Sequence, residues 1–198
     1  MKRMSKLEIL ALSGSHRHGS FNTALLDNAK RLAPKGVEIK IYEGLDKLPF
    51  YSEELDGDSI HPEAKRLREA IASADGILLA VPEYNFSMTA LLKNALDWSS
   101  RPAGRHVFVG KPTAIIGASS SILGSIRAQL HTREVLHALQ ADVVSRPEVL
   151  VTQAATKFED GALKDETARL FLVQVLDNLV AKINTSELIK TASQEKAS

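Results

Sequence analysis

Residues 76–81, Gly-Ile-Leu-Leu-Ala-Val, carry no polar side chain, and the chain then turns abruptly into Pro82-Glu83-Tyr84-Asn85. So short and continuous an apolar run reads as a strand buried on both faces, because a strand with one wet face would alternate. Related runs occur at 7–12, at 37–42 with alternation, and at 114–116 after Pro112. A weaker candidate at 143–151 is interrupted by Arg146-Pro147. Helical patterns lie between these runs, at 22–32, 62–73, 88–99 and 125–139. Pro62 suits a first helical turn. Apolar residues at 88, 91, 92, 95 and 96 give offsets of +3, +4, +7 and +8, which is one helix face. A last helix carries Leu172, Leu176, Leu179, Val180 and Ile183 on one side. Short strands alternating with helices predict an α/β fold, a doubly wound parallel sheet of five strands covered on both sides. Residues 1–184 read as one such domain, with 44–60 as a long surface connection and 185–198 as a polar, frayed C-terminal tail.

Composition excludes several alternatives. The chain has 198 residues and no cysteine, so disulfides, thiolate metal sites and a cysteine nucleophile are all ruled out. A net charge of +1 gives no footprint for nucleic acid or a membrane surface. No segment approaches the roughly 20 apolar residues of a membrane span. The apolar stretch after the basic N-terminus is too short and polar for a signal peptide, so a cytoplasmic protein is expected.

The loop after the first strand reads Ser13-Gly14-Ser15-His16-Arg17-His18-Gly19-Ser20-Phe21-Asn22. Its glycines allow tight turning, its serines supply hydroxyls and Arg17 supplies a fork of donors. Ser20 is placed to cap the helix that follows, whose N-terminal amides and dipole suit a phosphate. There is no Gly-Lys-Ser/Thr of a nucleoside-triphosphate loop and no Gly-x-Gly-x-x-Gly of a dinucleotide site. A monophosphate fits better; a capped surface turn fits as well. His16 and His18 have no acidic partner near them in sequence and read as solvated rather than as metal ligands.

In a doubly wound sheet, ligands sit beyond the strand ends where strand order reverses. For the flavodoxin-like order 2-1-3-4-5 that point lies between strands one and three. The Ser/Gly/Arg loop ends the first of these, and Pro82-Glu83-Tyr84-Asn85 ends the second. The second loop offers a rigid turn, backbone amides, an aromatic ring and an amide side chain. A flavin ring needs such an apolar shelf with a few hydrogen bonds at its edge. Tyr84 and Asn85 also read simply as a packed ring and a helix cap. A third loop, from Gly117 to Gly124 with Ser119 and Ser120, faces the same crevice or merely joins strand to helix.

Together with Leu92-Lys93-Asn94-Ala95, Asp97-Trp98 and Arg127-Ala128-Gln129, these loops resemble the NAD(P)H-dependent FMN reductase family, including its bacterial chromate/quinone reductases and azoreductase-like members. The resemblance implies a flavodoxin-like fold with FMN and NADPH or NADH as co-substrate. It assigns Ser15, Arg17, Ser20, Phe21 and Asn22 to the phosphate and ribityl end. Pro82, Glu83, Tyr84 and Asn85 would line the ring, with Ser119 and Ser120 on the other side. The chemistry would sit on FMN, with no catalytic side chain and no metal. Electrons would pass to a small acceptor such as a quinone, a flavin, an azo compound or chromate. A homodimer or homotetramer is implied, with the partner's helix and loop completing the pocket. A flavodoxin-type FMN electron carrier without turnover of its own is the alternative. Two positions depart from the family pattern. Thr89-Ala90 stands where Pro-Gly is usual, and Gly124-Ser125 where Gly-Gly is usual. Acceptor preference is expected to differ there.

Overall fold

The computed structural model describes residues 6–57 and 60–195. The first five residues of the expected domain, positions 58 and 59 of the long connection, and positions 196–198 of the expected tail lie outside the described residues. In chain order the main elements are β1 (Leu7–Ser13), α1 (Phe21–Leu32), β2 (Val37–Ile41), α2 (Pro62–Ser73), β3 (Gly76–Ala80), β4 (Glu83–Tyr84), β5 (Ser87–Met88), α3 (Ala90–Ser99) and β6 (Pro112–Ala118). Then follow α4 (Ile126–Ala138), β7 (Asp142–Val143), β8 (Val149–Val151), α5 (Ala154–Lys157), β9 (Phe158–Glu159), β10 (Ala162–Leu163) and α6 (Glu166–Glu195).

The central sheet runs β2-β1-β3-β6-β7, with β8 also on β6, and its pairings are parallel. This is the flavodoxin-like order, with β6 as the fourth strand. Strand side chains alternate between two cores, as a period of two demands. Ile9, Ala11, Leu78 and Ala80 join Leu25 of α1 and Leu172, Leu176 and Leu179 of α6. Leu10, Leu12, Ile77 and Leu79 join Leu67 and Ile71 of α2, Leu92, Leu96 and Trp98 of α3, and Leu136 of α4. That double burial is why β3 reads as an unbroken apolar run: all five of its residues are buried.

The fifth strand is split. β7 pairs with the start of β6 (Pro112↔Asp142) and β8 with its end (Gly117↔Leu150). Arg146-Pro147 lies between them, and proline has no N–H to give a ladder. The helix expected over 88–99 begins at Ala90. Met88 belongs instead to β5, which pairs with β4 as a two-stranded antiparallel ribbon. The tail expected to fray after Asn184 is helical: α6 continues to Glu195, with Leu188 and Ile189 largely exposed. The long connection is pinned to α3. Trp98 Nε1 and Asn94 Nδ2 both donate to Pro49 O, at 2.8 and 2.9 Å. Arg68 of α2 holds Asp56 through both carboxylate oxygens, at 2.9 and 3.0 Å. That hydrogen-bonded guanidinium keeps the Asp56 carboxyl below the usual carboxylate range. Among the described residues no helix is long and apolar enough to cross a membrane.

Candidate functional site

The sheet topology brings the ends of β1, β3 and β6 side by side. Gly14 N donates to Ala80 O at 2.9 Å, so the first loop leaves the sheet against the end of β3. A β-carbon on Gly14 would lie 2.7 Å from Pro82 Cδ, so only glycine lets the two loops approach this closely. Thr89 is buried and its hydroxyl donates to Gly14 O at 2.7 Å while capping α3 through Leu92 N. Thr89 is thus a tie between the loops. Its side chain points into the fold, while Ala90, at the position where glycine is usual, is exposed.

A cavity of about 500 Å³ opens at this junction, within the usual range for small-molecule sites. Ser15, Arg17, Ser20, Phe21 and Asn22 line one part of it, Pro82, Glu83 and Tyr84 a second, and Ser119 and Ser120 a third. Ten of the eleven residues singled out from sequence therefore meet in one place. Asn85 does not line it. Asn85 and Phe86 form the two-residue turn between β4 and β5, with φ of 49° and 68°. Two left-handed central residues are the pattern of a type I′ hairpin turn, which favours Asn first and Gly second. Nor does Asn85 cap α3, since Thr89 does. Ala118 lines the cavity and was missed from sequence. Its signal was positional: it is the last residue of β6, at the carboxyl edge where ligands sit.

Several of these side chains already have partners. Ser20 caps α1 by accepting from Thr23 N, as expected, at 3.4 Å. The first helical amides, of Phe21 and Asn22, are left without intrahelical acceptors at the cavity edge. Asn22 is buried, and its amide bonds both backbone groups of Ala118: Nδ2 to O at 2.9 Å and Ala118 N to Oδ1 at 3.0 Å. Its role is to sew α1 to β6 rather than to present a free amide. Arg17 is exposed and folds its fork onto its own loop, donating to His18 O and Gly19 O at 3.0 and 3.1 Å. Glu83 turns its carboxylate to α4, accepting from Arg127 N at 3.0 Å and Ala128 N at 3.2 Å. The other departure, Ser125, is fully buried with φ of 69° just ahead of α4, and its hydroxyl meets Gln129 Nε2 at 3.3 Å. It too points into the fold.

One part of the cavity thus offers hydroxyls, a guanidinium and a helix N-terminus, and another a rigid proline turn and an aromatic ring. The family model described as NADPH-dependent FMN reductase matches residues 7–156. An NAD(P)H-dependent FMN reductase of Pseudomonas aeruginosa is 41% identical over 174 residues, covering 87% of this chain and 93% of that one. A 2-hydroxy-1,4-benzoquinone reductase of a Burkholderia species is 38% identical over 177 residues, covering 88% and 95%. Among solved structures, the flavoenzyme NAD(P)H:(acceptor) oxidoreductase of Paracoccus denitrificans superposes with a TM-score of 0.82 at 30% identity, covering 91% of this chain and 98% of that one. This chain belongs to the NADPH-dependent FMN reductase family, and it is an oxidoreductase that uses FMN and a reduced nicotinamide.

Proposed function

We propose that the cavity at the ends of β1, β3 and β6 holds FMN, and that this chain passes electrons from NADPH or NADH through it to a quinone. The observation that carries the reading is the meeting of Ser15, Arg17, Ser20, Phe21 and Asn22 with Pro82, Glu83, Tyr84, Ser119 and Ser120 around one cavity. The donor set fits the cofactor. The α1 N-terminus, the Ser15 and Ser20 hydroxyls and Arg17 supply what a phosphate monoester needs. Pro82 and the Tyr84 ring supply a flat apolar edge, and the amides of the hairpin supply hydrogen bonds to a ring's polar rim. FMN, when bound, supplies the redox chemistry between the reduced nicotinamide and the acceptor. The chain's part is to bind and orient, and to keep one face of the cavity open at the right distance for each partner in turn. No side chain is needed as a nucleophile. A quinone acceptor is supported by the Burkholderia relative, which is named for a benzoquinone.

The same reading includes a homodimer or homotetramer in the cytoplasm. Tyr84, Phe86 and Ile122 stand 59%, 64% and 75% exposed, which leaves large apolar surface in water. A second copy would cover it and complete the cavity mouth. The test is the visible spectrum of the purified protein. A flavin spectrum is expected, which bleaches with anaerobic NADPH and returns on addition of a benzoquinone. Protein that stays colourless after incubation with FMN sinks the reading. Reoxidation by free flavin but not by quinone overturns the acceptor alone.

A further inference from the structure

α4 starts without a cap of its own. The residue before it, Ser125, is left-handed and makes no side-chain cap bond. Helices normally satisfy their first amides from that position, with Ser, Thr, Asp or Asn. Here the acceptor comes from 44 and 45 residues away, as the Glu83 carboxylate bonded to Arg127 N and Ala128 N. A carboxylate at this place also meets the positive end of the helix dipole. Two further contacts join the same pair of elements. The Arg127 guanidinium lies 4.1 Å over the Phe86 ring, and His131 Nδ1 meets Ser87 Oγ at 3.1 Å. The ribbon β4–β5 is too short to hold itself in water, as isolated hairpins are marginal even when longer. Its shape is therefore set by α4, and Glu83 makes the charged, two-amide part of that connection.

We propose that Glu83 is a positioning residue: by capping α4 it fixes the Pro82–Tyr84 wall against the Ser119–Ser120 wall and so sets the width of the cofactor cavity. This rests on the cavity being the FMN site. The residue acts by reach, as an acceptor of the right length, and its own charge need not touch the cofactor. Glutamine keeps the length and an acceptor oxygen. Aspartate keeps the charge and is one methylene short. Alanine keeps neither.

The experiment uses full-length apoprotein with Glu83→Gln, Glu83→Asp and Glu83→Ala. FMN titration is followed by flavin fluorescence, and hydrogen exchange is followed at the Arg127 and Ala128 amides. In E83A and E83D both amides should exchange faster than in the wild type, and FMN affinity should fall about tenfold, the scale of one lost charge-assisted hydrogen bond. E83Q should stay within about threefold of the wild type in affinity and keep most of the protection. The idea is overturned if E83D binds like the wild type while E83Q binds like E83A, since charge and not reach would then be at work. It is equally overturned if exchange accelerates while affinity does not move, since the cap would then be structural only. Should E83A not fold, the E83Q and E83D pair decides by the same two criteria. Wild-type protein that fails to bind FMN defeats the cofactor reading instead, and the exchange result still reports whether Glu83 caps α4.

Discussion

The two loops that meet at the cavity are held by opposite means. Residues 13–22 bond mostly to themselves: Ser13 Oγ to Ser15 O, Ser20 Oγ to Thr23 N, and the Arg17 fork to His18 O and Gly19 O. Open space lies on both sides of this loop. Besides the cavity it borders a groove of about 790 Å³ on its far side, toward Tyr42 and Asp46. The ribbon 83–88 is held from a distance: Glu83 by α4, Ser87 by His131, and Thr89 just beyond it by Gly14. A loop made of local bonds can change its side chains' partners without disturbing the fold. A loop made of distant bonds cannot move alone. The first is suited to gripping a small charged group, the second to presenting a wall of fixed shape.

Besides the Gly14 backbone, which bonds Ala80 and Thr89, Asn22 is the exception in the first loop, and it offers the largest test of the contrast. It is the one residue there whose side chain reaches another wall, bonding both N–H and C=O of the buried Ala118. Asn22→Ala leaves two buried backbone groups without a protein partner, at a cost of about 3 kcal/mol. Chemical denaturation of the apoprotein should show this as a lower midpoint with unchanged slope. A loss below about 1 kcal/mol would mean that the seam between α1 and β6 is not a rigid junction.

Thr89→Val comes next. Valine keeps the shape but removes the hydroxyl that joins Gly14 O to the start of α3. The expected loss is about 1–2 kcal/mol, the sum expected for a helix cap and a buried hydrogen bond that overlap at one oxygen. The ratio of activities toward different acceptors should be unchanged, because Thr89 is buried and does not face the cavity. A shifted ratio would show that the tie between the loops also shapes the approach to the site.

The same contrast explains what could be read from sequence. The sheet was legible because double burial leaves β3 with no polar residue, and the strand order was implied by the family resemblance rather than by the alternation with helices. The first loop was legible where its partners are near in sequence, so Ser20 could be identified as a cap from its neighbours alone, whereas the bonds of Asn22 to Ala118 could not be read. The ribbon was not. Its turn carries Phe86 where glycine would have announced a hairpin, and Met88 sits by coincidence in register with the α3 face. The role of Glu83 was hidden because its partners are 44 and 45 residues away and are backbone amides, which have no sequence signature. The fifth strand was blurred because Arg146-Pro147 divides one expected run into two pieces paired with opposite ends of β6. The length of α6 was missed because Leu188 and Ile189 are exposed and extend no buried apolar stripe beyond Ile183.

Arg17→Ala should have the smallest effect on stability and is the sharpest probe of the first loop. The side chain is exposed, and its two acceptors are carbonyls of the neighbouring residues His18 and Gly19. Water can replace the guanidinium at both, so the cost should stay under about 0.5 kcal/mol, as for surface substitutions generally. For the same reason the fork can leave its own loop for a phosphate at little cost, exchanging neutral acceptors for a charged one. FMN affinity should therefore drop about tenfold or more while the denaturation midpoint hardly moves. Salt separates this from a shape effect. Raising ionic strength should weaken FMN binding in the wild type more than in R17A, because the exposed charge pair that salt screens is missing from the variant. Equal salt dependence would remove Arg17 from the phosphate. A stability loss above about 1 kcal/mol would show that the first loop is as tightly fixed as the ribbon, and the division between a loop that grips and a wall that stays still would no longer hold.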